Sequence, residues 1–269
     1  MRYLIRLSYD GAPFCGWQIQ AGDPTLQETL QNALSTLLKE EISVTGAGRT
    51  DSGVNAAGYA ASFDAPRGTA PDTAEFGCKL NAILPRSIKV HSICQVPDDF
   101  NARFSARRRE YTYFIHRQKD PLIGPFSYLY TFPGLDVAAM NQAARALLGT
   151  HDFSCFEKTG SSNKTSICTV YEAFWASYTP SHVSLLHYPA AEGDYLYFRI
   201  SADRFLRNMV RAVVGTLLEV GRGRRPVDGT LLRDGRPVES VAALIAAGTR
   251  SDAGESVPGE ALFLSGVEY

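Results

Sequence analysis

With 269 residues, 45% of them hydrophobic, the chain can bury one large core or two moderate ones. Basic and acidic side chains nearly cancel to a formal net charge of -1, so global charge signals no polyanionic partner and leaves open only a local basic face. Five cysteines (Cys15, Cys78, Cys94, Cys155, Cys168), an odd number with no C-x-x-C pair, argue against a disulfide framework and a cysteine-rich zinc site.

The N-terminal "RYLIRLSY" alternates apolar and polar residues up to Asp10-Gly11, a strand ending in a turn. It lacks the apolar core and cleavage site of a signal peptide, and no stretch reaches membrane-spanning length, so a reduced, cytoplasmic, soluble protein is expected. "DGAPFCGWQIQ" reads as a turn followed by an exposed aromatic-amide segment. Leu26, Leu30, Ala33, Leu34, Leu37 and Leu38 fall at helical spacing, with Thr25-x-x-Glu28 as a capping box. "ISVTGAG" and "AAGYAASF" are short strands, "DTAEFGCKLNAILP" a helix and "SIKVHSICQVP" a strand. "ARFSARRREYTYFIHR" is a basic loop running into a strand, and the Pro- and Gly-rich "DPLIGPFSYLYTFPG" a connector. A second series then begins: helix "DVAAMNQAARALLGT", strands "TSICTVYEAFWASY" and "GDYLYFRISA", amphipathic helix "FLRNMVRAVVGTLLEVG" and closing strand "ALFLSGVEY". Recurrent strand pairs favour an α+β fold over a doubly wound sheet, as two similar subdomains, residues 1–107 and 108–269, on mainly antiparallel sheets with helices on one face.

"GAGRTDSG" meets neither the dinucleotide fingerprint nor the P-loop spacing, and the stretch after Gly53 reads as a strand. The plain reading is a turn, with glycines for positive φ. Arg49 and Asp51, two apart in a flexible bend, can instead aim both side chains into one cleft. Arg103, Arg107, Arg108 and Arg109, interleaved with tyrosines, suit phosphate contacts and base stacking, against a plain reading as a solvated loop. Arg204, Arg207 and Arg211 are spaced to share one helical face, with Arg222, Arg224 and Arg225 beyond the helix end. Three basic clusters on a slightly acidic chain favour an RNA groove. His91, His116, His151, His182 and His187 show no ligand spacing, His182 and His187 fall in an expected loop, and no metal site is read.

These motifs resemble the tRNA pseudouridine synthase A family along nearly the whole chain. "GAGRTDSGVNA" is similar to the family's G-R-T-D-x-G-V-H-A, "FNARFSARRREYTYFI" to its F-H-A-R-F-S-A and R-x-Y-x-Y run, and "RFLRNMVRAVVGTLLEVG" to its helix with M-V-R. The resemblance implies Asp51 as catalytic carboxylate, Tyr111 as the active-site tyrosine against the uracil, and Arg211 as the partner keeping Asp51 ionised. It implies Arg49 as the residue holding the target nucleotide out of the stack, with Thr50, Asn55, Arg103, Arg107 and Arg207 on the RNA side. The implied fold joins the subdomains in a continuous sheet with a central basic cleft. The implied assembly is a homodimer binding tRNA at the anticodon stem-loop and elbow, with no cofactor and no membrane. The implied targets are uridines 38, 39 and 40 of the anticodon stem-loop. Asn55 and Asn101 stand where the family has His, Cys168 where Arg is common, and Arg207 in place of an aromatic or His.

The chemistry breaks N1–C1′, rotates the base and forms C5–C1′. A carboxylate can attack C1′ or C6, or remove a ribose proton. It must be ionised, which a neighbouring guanidinium favours. Unstacking the base costs a few kcal/mol, which phosphate contacts and aromatic stacking offset. Two other readings remain: an RNA binder without catalysis, and a nucleotide-dependent enzyme with a glycine-rich phosphate cradle.

Overall fold

The computed structural model describes residues 1–66, 72–161 and 164–269. The chain divides into two compact units, Met1–Arg109 with Phe263–Tyr269, and Glu110–Leu262. In chain order the elements are β1 (Arg2–Tyr9), α1 (Leu26–Leu38), β2 (Val44–Gly46), β3 (Asn55–Asp64), α2 (Thr73–Ile83), β4 (Ile88–Val96) and β5 (Arg108–His116). Then come β6 (Tyr128–Leu129), α3 (Val137–Ala144), β7 (Gly149–Asp152), β8 (Ile167–Ser177), α4 (Ser181–Leu186), β9 (Tyr195–Ala202) and α5 (Met209–Gly221). A hairpin of β10 (Thr230–Arg233) and β11 (Arg236–Glu239), then α6 (Val241–Ala247) and β12 (Leu262–Glu268), complete the chain. The α+β reading stands, and the sheet is mixed, with β12 parallel to β3 and β6 parallel to β5.

In the first unit the strand order is β4-β1-β3-β12, with β2 also on β3. β1 pairs antiparallel with both β3 and β4, whereas β12 runs parallel to β3. The period-two pattern puts Tyr3, Ile5, Leu7 and Tyr9 in the core. Arg6, on the other face, donates to the Val267 carbonyl at 2.7 Å and lies over the Tyr269 ring. The Thr25 capping box does not form. Thr25 is the N-cap residue, but its hydroxyl is buried without a partner. The amides of Leu26 and Gln27 donate instead to the carbonyls of Gly16 and Trp17 at 3.2 and 3.0 Å. Tertiary packing has supplied the acceptors that a local cap would have provided.

In the second unit the order is β5-β9-β8-β7, with β6 parallel on β5. The arginine-bearing helix is shorter than its sequence pattern suggests. It begins at Met209, because Asn208 sits at φ +66°, a left-handed conformation that cannot lie inside a right-handed helix. Arg204 and Arg207 therefore precede it and do not share a helical face with Arg211. Nor does α5 have a broad wet side, since all its residues but Arg211 and Glu219 are buried. His182 lies on α4 rather than in a loop, with Nε2 2.7 Å from the buried Asp120 carboxylate, and His187 caps that helix. Among the described residues no helix is long and apolar enough to cross a membrane.

A backbone approach fixes α5. A Cβ on Gly215 would lie 1.7 Å from the Glu255 carbonyl oxygen, so segment 254–257 passes directly over the helix. The Gly254 amide donates to Thr216 Oγ1 at 2.9 Å. Gly215→Ala should therefore cost about 1–3 kcal/mol, the ordinary range for overpacking, read as a lowered urea midpoint. An unchanged midpoint would mean that the approach is not obligatory.

Candidate active site

Segment 47–54 joins β2 to β3, where Gly46 stands opposite Ala61. Four of its carbonyls accept hydrogen bonds. Ala47 O accepts from Arg109 Nε and Nη2 at 3.2 and 3.0 Å, and Gly48 O from the Tyr59 hydroxyl. Thr50 O accepts from the Trp17 amide at 3.1 Å, and Asp51 O from the Val54 amide at 3.2 Å. Gly53, at φ +74°, permits that last turn. Along the loop Arg49 is exposed, Thr50 buried and Asp51 half-buried. Thr50 Oγ1 shares a hydrogen bond of 2.9 Å with the Tyr9 hydroxyl.

Behind the loop stands a buried aromatic group. Trp17 and Tyr59 have ring centroids 4.2 Å apart, and Tyr9 meets Tyr59 at 5.4 Å. Trp17 is thus internal, only 3% exposed, against the expectation of an exposed aromatic, whereas Gln18, Ile19 and Gln20 after it are exposed as expected. Its burial requires small neighbours. A Cβ on Gly46 would fall 2.2 Å from the Tyr59 hydroxyl, and one on Gly16, at φ +92°, 2.6 Å from Thr50 O. These glycines serve protein packing. Gly48 differs, since a Cβ there would meet nothing within 4 Å.

The first basic cluster divides. Arg103 and Arg107 are exposed. Arg109 turns inward: besides Ala47 it reaches the carbonyls of Ala106, at 3.2 Å, and Arg103. It is a clamp between two loops rather than a phosphate ligand. Asn55 is buried and accepts from the Gly11 amide at 2.8 Å, and Asn101 Oδ1 accepts from the amides of Arg103 and Phe104 at 2.9 and 3.1 Å.

In the second unit Tyr111 lies on β5, 8% exposed as a residue, its ring edge-on to Phe205 at 5.0 Å and 86°. Arg211, in the first turn of α5, donates from Nε to Val257 O at 2.7 Å, and its own carbonyl accepts from the Val257 amide at 3.3 Å. The nearby Tyr113 phenol is held well above its ordinary range, chiefly by burial, with the Arg211 charge acting the other way. Arg207 is exposed and its carbonyl accepts from the Lys158 amide at 3.0 Å. In the third basic cluster Arg225 is buried and Arg222 and Arg224 are half-buried. Arg225 is 4% exposed and binds Glu219 Oε2 and the carbonyls of Glu239 and Asp252, while Arg222 lies over the Phe132 ring at 3.9 Å. Arg49, Thr50, Asp51, Asn55, Arg103 and Arg107 lie in the first unit, and Tyr111, Arg207 and Arg211 in the second. Among the described residues no group of three or more His, Cys, Asp or Glu is placed to hold a metal ion.

Comparison with known proteins fixes the family. A family model described as tRNA pseudouridine synthase matches residues 143–269. A protein of Bacteroides fragilis named tRNA pseudouridine synthase A is 43% identical over 269 residues, covering 100% of this chain and 96% of that one. Its namesake in Bacillus subtilis is 37% identical over 272 residues, covering 100% and 99%. The chain belongs to the tRNA pseudouridine synthase A family.

Against that family's motifs, three of the four departures fall at scaffold positions. Asn55 and Asn101 hold backbone amides, and Cys168 is wholly buried on β8, its thiol pushed up to about 12 by burial. Arg207 is the fully exposed one of the four. Sequence reasoning missed Tyr9, Trp17, Tyr59 and Arg109 as supports of the loop, because their partners are distant in sequence and, but for the Thr50 hydroxyl, are backbone atoms. It also missed the β10–β11 hairpin, although the Asp234-Gly235 pair, both at positive φ, is a strong hairpin-turn signal.

A double-mutant cycle over Tyr9→Phe and Thr50→Val should give a coupling of about 1 kcal/mol in urea denaturation, the worth of one buried hydrogen bond. A coupling of zero would show that this bond does not hold the loop.

Proposed function

We propose that this protein isomerises uridine to pseudouridine in tRNA, with Asp51 as the catalytic carboxylate. One observation carries the assignment: the G-R-T-D segment sits on a loop whose backbone is pinned by Arg109, Tyr59 and Trp17, with Thr50 turned inward beside Asp51. A carboxylate on such a loop is preorganised, which is what a reaction with an exacting attack geometry needs. Arg49 is exposed next to it and suits the vacated space of the target base, or its phosphate.

The reaction moves one hydrogen. The N1–C1′ bond breaks, the base turns, C5–C1′ forms, the C5 hydrogen leaves as a proton and N1 gains one. Asp51 serves as nucleophile or base. Tyr111, its ring braced by Phe205, suits packing against the uracil. Arg211 is assigned from the family resemblance as the charge that keeps the carboxylate ionised. Arg103, Arg107 and Arg207 are exposed cations suited to phosphate contacts, while Thr50 and Asn55 act from buried positions as supports. The resemblance further supports similar subdomains divided at 107/108, sharing a continuous sheet and a basic cleft. It also supports a cytoplasmic homodimer and target uridines on the 3′ side of the anticodon stem-loop.

Tritium release from tRNA transcripts labelled at uridine C5 tests the reading. Release by the wild type should fall at least about 10²-fold in Asp51→Ala, the lower range for loss of an acid–base or nucleophilic group. Equal release by both proteins would keep the enzyme and remove Asp51 from the mechanism. No release from either, with tRNA still bound, would leave a binder without catalysis.

A further inference from the structure

We propose that Phe104 is a nucleobase-stacking residue, its ring taking an unpaired base of the RNA. The proposal rests on the assignment of tRNA as substrate and adds a residue to it.

Phe104 is 79% exposed, the most exposed large hydrophobic side chain among the described residues. A ring so exposed buries little apolar surface for the fold, and the backbone beneath it is far from loose. Asn101 Oδ1 accepts from the Phe104 and Arg103 amides, and Ser105 N donates to Asn101 O at 2.8 Å. The Tyr269 hydroxyl donates to Ala102 O at 2.9 Å, and Arg109 holds the carbonyls of Arg103 and Ala106. The turn thus presents its ring on a rigid mount, which lowers the ordering cost of binding.

The surroundings select the partner. The Arg103 guanidinium lies 5.4 Å from the Phe104 ring centroid, and Arg103 and Arg107 are themselves exposed. An exposed ring with a cation against it, on a turn that also carries the exposed Arg107, suits a base flanked by phosphates. Its position relative to the chemistry is also fixed. The guanidinium of Arg109 that holds this turn holds Ala47 O as well, at the start of the loop carrying Asp51. A base stacked on Phe104 therefore stands at a set distance from the carboxylate loop.

Phe104→Ala, Phe104→Leu and Phe104→Trp test this. Binding of a tRNA transcript is measured in an Asp51→Ala background and tritium release with Asp51 intact. Because the side chain is exposed, melting temperatures should not move. Alanine and leucine should each weaken transcript binding about ten-fold, within the range for loss of one base–aromatic stack, while tryptophan stays within about two-fold. Leucine binding as well as phenylalanine would overturn stacking, since it keeps apolar bulk without a π face. Unchanged RNA affinity with an altered sedimentation coefficient in Phe104→Ala would overturn it too, by making the ring a protein contact. Release by the wild type with equal binding by all variants would sink the Phe104 role alone. A wild type that neither binds nor releases would remove the tRNA assignment and this one together.

Discussion

The carbonyl oxygens of segment 47–54 are the constraint around which the first unit is built. Four consecutive-to-near neighbours, Ala47, Gly48, Thr50 and Asp51, accept hydrogen bonds from a guanidinium, a phenol and two amides. Each bond alone contributes on the order of 1 kcal/mol, yet together they remove the freedom that a glycine-rich bend would otherwise have. The aromatic group of Tyr9, Trp17 and Tyr59 then has to approach the backbone closely, and Gly16 and Gly46 are the residues that allow it. Segment 10–17 in turn supplies the acceptors for the first amides of α1, so helix, turn and loop share one set of polar contacts.

A similar economy governs the second unit. Gly215 lets segment 254–257 cross α5 closely, and on that crossing Arg211 exchanges hydrogen bonds with Val257. The side chain is thereby aimed by backbone atoms well separated in sequence. Tyr111 is aimed by Phe205, just ahead of the left-handed Asn208 that delays the helix. The conformation that shortens α5 also frees the 203–208 stretch to carry Phe205 and the exposed Arg207.

Arginine has two different uses in this molecule. Arg109 and Arg225 point their forked donors at backbone carbonyls, a geometry that a lysine ammonium cannot reproduce. Arg49, Arg103, Arg107 and Arg207 remain exposed. The basic surface available to a polyanion is therefore smaller than the three arginine clusters suggest, and the difference has gone into joining loops. The replacements of histidine by Asn55 and Asn101 fit the same economy, because an amide side chain can accept from backbone N–H groups without carrying charge.

The strands and most helices are legible in the sequence because period-two and period-3.6 patterns are local, and so are the order and spacing of the G-R-T-D, A-R-F-S-A and M-V-R motifs. Those patterns also carry the family. Whether Thr25 caps its own helix, where α5 starts, whether Trp17 is inside or outside, and which arginines meet solvent are decided only in three dimensions. Except at the start of α5, which the left-handed Asn208 sets, the deciding partner is a backbone carbonyl, or a ring brought from a distant stretch of chain, such as Gly16 O for Leu26 or Ala47 O for Arg109. Every residue carries the same carbonyl, so the sequence records that an arginine is present but not which oxygen it will find.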